Sequence, residues 1–157
     1  MQRYLLAVTA LIGCTVCWAA DWPQWRGPER TGISRETNLL QEWPAEGPAL
    51  HWKATELGTG YASPSIAKGV IYLQSTRGET EFCIALNEKD GKTIWSTAIG
   101  KVGKNQGPQY PGTRASATVD DELIFCLASD GEITCLAARD GSIRWQKHCR
   151  NDFGGKP

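Results

Sequence analysis

The chain has 157 residues, which is enough for one ordinary domain or for part of a larger protein. It is 41% hydrophobic and 22% charged, and its 17 Lys and Arg residues balance 17 Asp and Glu residues. A neutral chain without a basic cluster is not expected to bind nucleic acid or an anionic membrane surface as its main partner. The 17 glycines, 8 prolines and 7 tryptophans favour an all-β fold with many turns.

Residues 1–19 have the pattern of a secretory signal peptide. Arg3 gives a charged start, Tyr4–Val16 is an almost unbroken apolar run, and small residues precede polar Asp21. We expect cleavage after Ala19 and export to the periplasm or the extracellular space. The remaining chain has no apolar run of the roughly 18 residues that a membrane span requires, so the mature protein is expected to have no transmembrane segment.

A lipoprotein signal is the alternative for the same segment. The stretch that ends in Cys14 fits a bacterial lipobox and would anchor the protein through a lipid on that cysteine. The apolar run continues through Trp18, however, and this favours the ordinary signal peptide. Cys14 and Cys17 also have the spacing of a haem attachment site, but Trp18 stands where the ligand histidine is required.

Residues 20–46 are expected to form an N-terminal extension, in which Trp22, Trp25 and Arg26 pack on the rim of the fold or, as an alternative, bind a partner. Residues 47–57 predict a closing strand, because Gly47 to Trp52 resembles the last strand of the repeats that follow. Such a strand would complete a sheet whose other strands come from the C-terminal end, and it would hide an exposed edge.

Two copies of one repeat follow, at residues 61–96 and 114–147. Each copy has four short apolar segments separated by tight turns, and each ends in an Asp-Gly turn followed by a tryptophan, Trp95 or Trp145. The middle segments are apolar on both faces, as in a sheet that lies between two other sheets. Four-stranded sheets at this period predict the blades of a β-propeller.

A complete propeller needs about four to eight blades, so two blades and a closing strand predict an incomplete ring. We therefore expect the chain to be a truncated or fragmentary product of a longer repeat protein, and to aggregate or oligomerise through its uncovered blades.

The repeats resemble the blades of the pyrroloquinoline-quinone-type (quinoprotein-like) propeller family. The blade motif of that family is similar in the first copy to Ala85, Asn87, Gly91 and Trp95, with Asn87 in place of the family's Asp. In the second copy only Gly141 and Trp145 match fully. The stretch Asp21–Ser34 also resembles the N-terminus of secreted members from planctomycete-like bacteria. The resemblance implies that the tryptophans dock between blades, which is a structural role.

The resemblance leaves two functions open. The favoured one is a non-catalytic binding or scaffold segment without a cofactor, like the scaffold lipoproteins of the outer-membrane barrel assembly machinery, with an unidentified protein or envelope partner. Its best candidate contact surface is the segment Thr97–Thr113. The alternative is the N-terminal part of a quinoprotein dehydrogenase, which would need pyrroloquinoline quinone and calcium.

Few residues suit the dehydrogenase. The adjacent cysteine pair of the family's enzymes is absent from this sequence. His51 and His148 lack the spacing of metal ligands, and the acidic stretch Asp120–Glu122 falls at a predicted hairpin turn. No catalytic, cofactor or metal residue is therefore assigned.

Cleavage of the signal peptide leaves Cys83, Cys126, Cys135 and Cys149. A two-residue loop at Asp130-Gly131 would place Cys126 opposite Cys135 in a non-hydrogen-bonded pair, with Cα atoms about 4.5 Å apart, just within disulfide range. A disulfide between these two cysteines and a pair of buried thiols both remain open.

Overall fold

The computed structural model describes residues 20–104 and 112–155. The predicted signal peptide, Cys14 and residues 105–111 of the predicted contact segment lie outside the described residues. Within them the chain forms two four-stranded antiparallel sheets, each with its strands in sequence order. The strands of the first sheet, blade 1, are β1 Ser65–Ala67, β2 Val70–Arg77, β3 Thr80–Asn87 and β4 Thr93–Lys101. Those of the second sheet, blade 2, are β5 Thr118–Asp120, β6 Leu123–Leu127, β7 Glu132–Ala137 and β8 Ile143–His148, followed by the short helix α1 Cys149–Phe153.

Turn chemistry explains why the strands reverse where they do. Lys68 and Gly69 both have positive φ, at 52° and 76°, as a two-residue hairpin turn between β1 and β2 requires. Gly91 and Gly141 close the turns between the last two strands of each blade, at φ values of 68° and 69°. Because L-residues with a side chain rarely adopt this conformation, glycine fixes both turn positions.

The two blades pack face to face around an apolar core that includes Ile99 of blade 1 and Ile124 and Leu136 of blade 2, all fully buried. Hydrogen bonds cross the same interface: Ser65 Oγ donates to the Ala117 carbonyl at 2.5 Å, and Thr134 Oγ1 donates to the Ile99 carbonyl at 2.9 Å. The predicted all-β fold of two propeller blades in an open ring is thus confirmed.

The N-terminal extension adds to the edge of both sheets. The backbone of Trp22 exchanges two hydrogen bonds with Ile66 of β1, at 2.7 and 2.9 Å, and the Val119 amide of β5 donates to the Pro23 carbonyl at 2.8 Å. The unpaired backbone groups of an edge strand favour such pairing with an extended segment. The predicted packing of Trp22, Trp25 and Arg26 on the rim stays a prediction. Trp25 stays 62% exposed and lies beside the guanidinium of Arg26.

Residues 47–57 form no strand in the part of the chain that the structure describes. They lead onto the face of blade 1 that points away from blade 2, where the Leu57 carbonyl accepts from Ser75 Oγ at 2.5 Å. Thr59 then pairs with Thr76 through two backbone hydrogen bonds of 2.9 and 2.8 Å. The closing strand stays a prediction, because its partner strands are not among the described residues.

The predicted register of the β6–β7 hairpin was wrong. The loop has three residues, 129–131, because Ala128 pairs with Glu132 and the Gly131 amide donates to the Ala128 carbonyl. A turn followed by a glycine with positive φ, here 102°, is the usual form of a three-residue hairpin loop. Cys135 therefore lies opposite Phe125, and Cys126 lies opposite Thr134. Neighbouring residues of a strand point to opposite faces, so Cys126 and Cys135 are separated by the sheet and do not meet.

Candidate interaction site

In each blade, the turn before the last strand is contacted by a tryptophan from the preceding segment of the chain. The indole of Trp52 lies against Gly91, and its Nε1 donates to the Glu88 carbonyl at 2.8 Å. In the same way Trp95 lies against Gly141, and its Nε1 donates to the Ala138 carbonyl at 3.1 Å. The glycine is needed at both places for contact, since a Cβ there would lie 2.5 Å from Trp52 Cε3 or 2.6 Å from Trp95 Cδ2.

The other motif residues shape the turn that receives the tryptophan. Ala85 is fully buried and lies directly opposite Trp95 in the sheet. Asn87 accepts a hydrogen bond from the Lys89 amide at 2.9 Å, and its carbonyl accepts from the Gly91 amide at 2.8 Å. In blade 2, Asp140 Oδ1 accepts from the Ser142 amide at 3.0 Å. The hydrogen bonds of Ser142 and the nearby Arg139 guanidinium lower the pKa of the Asp140 carboxyl.

Blade 2 repeats on its outer side the aromatic pair that blade 1 uses to contact it. In blade 1 the rings of Tyr72 and Trp95 have centroids 6.0 Å apart at 41°. In blade 2 the rings of Phe125 and Trp145 have centroids 6.1 Å apart at 48°. Blade 2 covers the first pair and leaves Tyr72 only 4% exposed, whereas Trp145 is 43% exposed.

We call this outer side of blade 2 the docking face. It consists of Phe125, Leu127, Ile133 and Trp145, which alternate along β6, β7 and β8 so that their side chains point away from blade 1. Leu127 is 45% exposed. An apolar aromatic surface of this kind is typical of a protein contact.

The sequence did not reveal the polar contact at the other end of the blade interface. Glu81 is fully buried and accepts from the amide of Ser129 at 3.0 Å and from its hydroxyl at 2.5 Å. Ser129 Oγ also accepts from the Gly103 amide at 2.8 Å, which holds the part of the predicted contact segment that directly follows β4. Nothing in the local pattern around Glu81 indicates a partner that lies in the next blade.

The residues considered for metal binding have other partners. His148 caps α1, since its Nδ1 accepts from the Arg150 and Asn151 amides at 3.2 and 3.4 Å. Asp121 and Glu122 lie on an exposed turn beside Lys68 Nζ, at 2.6 and 3.7 Å. His51 is exposed. Over residues 20–104 and 112–155, no group of three or more His, Cys, Asp or Glu side chains is placed to hold a metal ion.

Comparisons with known proteins agree with this architecture. The family profile described as outer membrane protein assembly factor BamB matches residues 29–157. BamB of Escherichia coli (strain K12) is 23% identical over 159 aligned residues, which cover 98% of this chain and 37% of the relative. BamB of Yersinia pestis is 25% identical over 130 residues, covering 77% of this chain and 32% of the relative. The chain thus spans about a third of the length of these relatives.

Two solved structures align with this chain, and the first of them supports the fold. Quinohemoprotein alcohol dehydrogenase from Comamonas testosteroni aligns with a TM-score of 0.59 and 20% identity, over 88% of this chain and 21% of that one. BamB from Moraxella catarrhalis aligns with a TM-score of 0.47 and 17% identity, over 62% of this chain and 27% of that one. No helix in the described part of the chain is long and apolar enough to cross a membrane.

Proposed function

We propose a function from the family to which this chain belongs, that of the outer membrane protein assembly factor BamB. The chain is an exported, non-catalytic β-propeller scaffold, and it binds other proteins of the cell envelope. Export would follow from the signal peptide predicted at residues 1–19, with lipidation of Cys14 as the alternative form of the same signal. The membership supports a scaffold, and the docking face supplies a surface with which a scaffold could bind.

The docking face is the observation that carries the proposal. Because its aromatic pair repeats the buried pair of blade 1, it is suited to the same kind of occupant: a further blade that presents an Asp-Gly turn to Trp145. We therefore propose that an envelope partner supplies such a blade to the docking face. An exposed indole beside an apolar face would be covered by the turn and inner face of that blade, as blade 2 covers Trp95.

The quinoprotein alternative has a weaker basis in these residues. A calcium site requires several free oxygen ligands. The carboxylates of Asp121 and Glu122 already share the cation of Lys68 and lie on a solvent-exposed turn. The donor set in the described residues therefore does not fit the calcium ion that such an enzyme binds together with its quinone. The likeness to the dehydrogenase is a likeness of fold.

Photo-crosslinking tests the scaffold proposal. The full chain is produced in a Gram-negative bacterium with p-benzoylphenylalanine in place of Trp145 or, as a control, of the exposed Trp43. We expect the chain in the envelope fraction without residues 1–19, and defined cross-linked products from position 145 that position 43 does not give. A chain retained in the cytoplasm with those residues attached contradicts export. Equal cross-linking from both positions contradicts the docking face.

A titration separates the scaffold from the dehydrogenase. Pyrroloquinoline quinone and calcium are added to the purified chain, and binding is followed by quinone absorbance. The scaffold proposal expects no saturable binding. Saturation at one equivalent of quinone contradicts it.

A further inference from the structure

Two cysteines from different blades meet inside the core. The thiol of Cys83 on β3 lies close enough to that of Cys126 on β6 to raise the pKa of the Cys126 thiol. Cys83 is fully buried and Cys126 is 2% exposed, and both belong to the apolar cluster between the blades. Their sequence positions gave no reason to pair them, because the contact depends on how the sheets stack.

The register fixes the direction of both side chains. Cys83 lies opposite Thr97 on β4, whose Oγ1 donates to the Gly141 carbonyl of blade 2 at 2.8 Å. Cys126 lies opposite Thr134 on β7, whose Oγ1 donates to the Ile99 carbonyl of blade 1 at 2.9 Å. Residues directly opposite each other in a sheet point to the same face, so each cysteine points toward the other blade. The two threonine hydrogen bonds hold the strands together on either side of the thiols.

We propose that Cys83 and Cys126 are a disulfide site that covalently joins blade 1 to blade 2. The oxidant is a disulfide of low molecular weight. One cysteine thiolate attacks it, forms a mixed disulfide and releases one small thiol; the second cysteine thiolate then attacks the protein sulfur and releases the other small thiol. The protein loses two electrons and two protons, and the oxidant is reduced to two thiols. A disulfide between packed sheets has a precedent in antibody domains.

The bond forms as the blades pack rather than afterwards. In the folded, reduced protein the interaction with the Cys83 thiol, which favours the protonated form of Cys126, together with burial raises the pKa of the Cys126 thiol well above its ordinary value. The reactive species is the thiolate, so the closed core reacts slowly with disulfides and with alkylating agents. During folding the thiols are still exposed, and the developing contact brings them together.

The test is refolding of the denatured, reduced full chain with reduced and oxidised glutathione, followed by alkylation in denaturant, so that buried thiols also react, and non-reducing peptide mapping. Cys126 and Cys135 share one tryptic peptide, residues 115–139, so the mapping uses the Cys135→Ser chain alongside the unaltered one. We expect peptide 78–89, which contains Cys83, to be linked to peptide 115–139 in both chains. Alkylation of both cysteines after refolding, or linkage of either one to Cys149, overturns the proposal.

Melting supplies a second measurement that does not depend on mapping. The bond would close a loop of several tens of residues, and the oxidised Cys135→Ser chain is expected to melt about 10 °C above its reduced form. The Cys83→Ser and Cys126→Ser chains are expected to show the same melting temperature with and without glutathione disulfide. An equal melting temperature for oxidised and reduced Cys135→Ser contradicts the proposal. Because the chemistry is tested in purified protein, its outcome is independent of export and of the scaffold role.

Discussion

Trp95 lies against the backbone of Gly141, in the turn of the next blade, at a position where even a methyl group would collide with the indole. The contact joins the end of one repeat to the last turn of the next, and Trp52 and Gly91 make the same contact one repeat earlier. In each repeat the Asp-Gly turn therefore contacts the tryptophan of the preceding segment. The tryptophan that follows the turn is placed to contact the Asp-Gly turn of the next repeat.

Gly141→Ala should destabilise the protein by about 2–3 kcal/mol, because it combines an unfavourable positive φ with a collision against Trp95. Gly78→Ala is the matched control: its φ is 60° against 69° for Gly141, and a Cβ there would meet nothing within 4 Å. The control should lose only about 1 kcal/mol, the cost of the backbone conformation. Urea unfolding followed by tryptophan fluorescence measures both. Equal losses would mean that the indole contact contributes nothing.

Trp95→Ala and Trp145→Ala compare a tryptophan that contacts the next blade with one that is not covered by a blade in this structure. Loss of Trp95 removes packing between the blades and the hydrogen bond to Ala138, and it should cost about 3 kcal/mol. Loss of Trp145, which is 43% exposed, should cost about 1 kcal/mol and reduce self-association through the docking face. Denaturant unfolding and analytical ultracentrifugation give the two readouts. A larger loss of stability for Trp145→Ala than for Trp95→Ala contradicts this account.

Gln74→Leu should raise the free energy of unfolding by about 1 kcal/mol. The Gln74 side chain is 1% exposed, and neither its Nε2 nor its Oε1 has a hydrogen-bond partner among the described residues. An apolar side chain of similar size removes this desolvation cost. Gln146→Leu is the control, since Gln146 Nε2 donates to Thr134 Oγ1 at 3.0 Å, and it should not stabilise. Destabilisation by Gln74→Leu would show that a buried water satisfies the amide.

Asp140 should contribute to loss of stability in acid. Its pKa in the folded protein is lowered by the hydrogen bonds of Ser142 and by Arg139, from an ordinary value of 3.8. A lowered folded pKa stabilises the protein above the unfolded value, and this contribution is lost as the pH falls below about 4. Asp140→Asn keeps an oxygen acceptor for the Ser142 amide but does not titrate. The urea midpoint of this variant should therefore fall less than that of the unaltered chain between pH 5 and pH 2. Parallel curves would contradict the assignment.

The sequence predicted the blades well because the signals are local. Apolar runs broken by glycine turns, such as those at Gly91 and Gly141, report directly on hairpins and on their order. The register of one hairpin was missed because Asp130-Gly131 fits a two-residue loop as well as the three-residue loop that forms. A shift of one residue moves every side chain to the other face, so Cys126 was given the wrong partner.

Contacts between blades could not be predicted in this way. Glu81 with Ser129 and Cys83 with Cys126 depend on the stacking of two sheets, and no period within either repeat encodes it. The sequence predicted an uncovered outer face for the blades of an incomplete ring, but it also placed Trp145, like Trp95, between blades, whereas Trp145 is 43% exposed.

The edge pairing of Trp22 and Pro23 ties the order of synthesis to the order of folding. These residues leave the ribosome before either blade, yet their hydrogen bonds go to Ile66 in blade 1 and to Val119 in blade 2. The first-made segment must therefore wait for blade 2 before its pairing is complete. Long-range closures of this kind are slow steps, because the loop entropy is lost before the contact is gained. We therefore expect the N-terminal segment to pair after both blades have formed, and its bonds to both sheets to couple their unfolding.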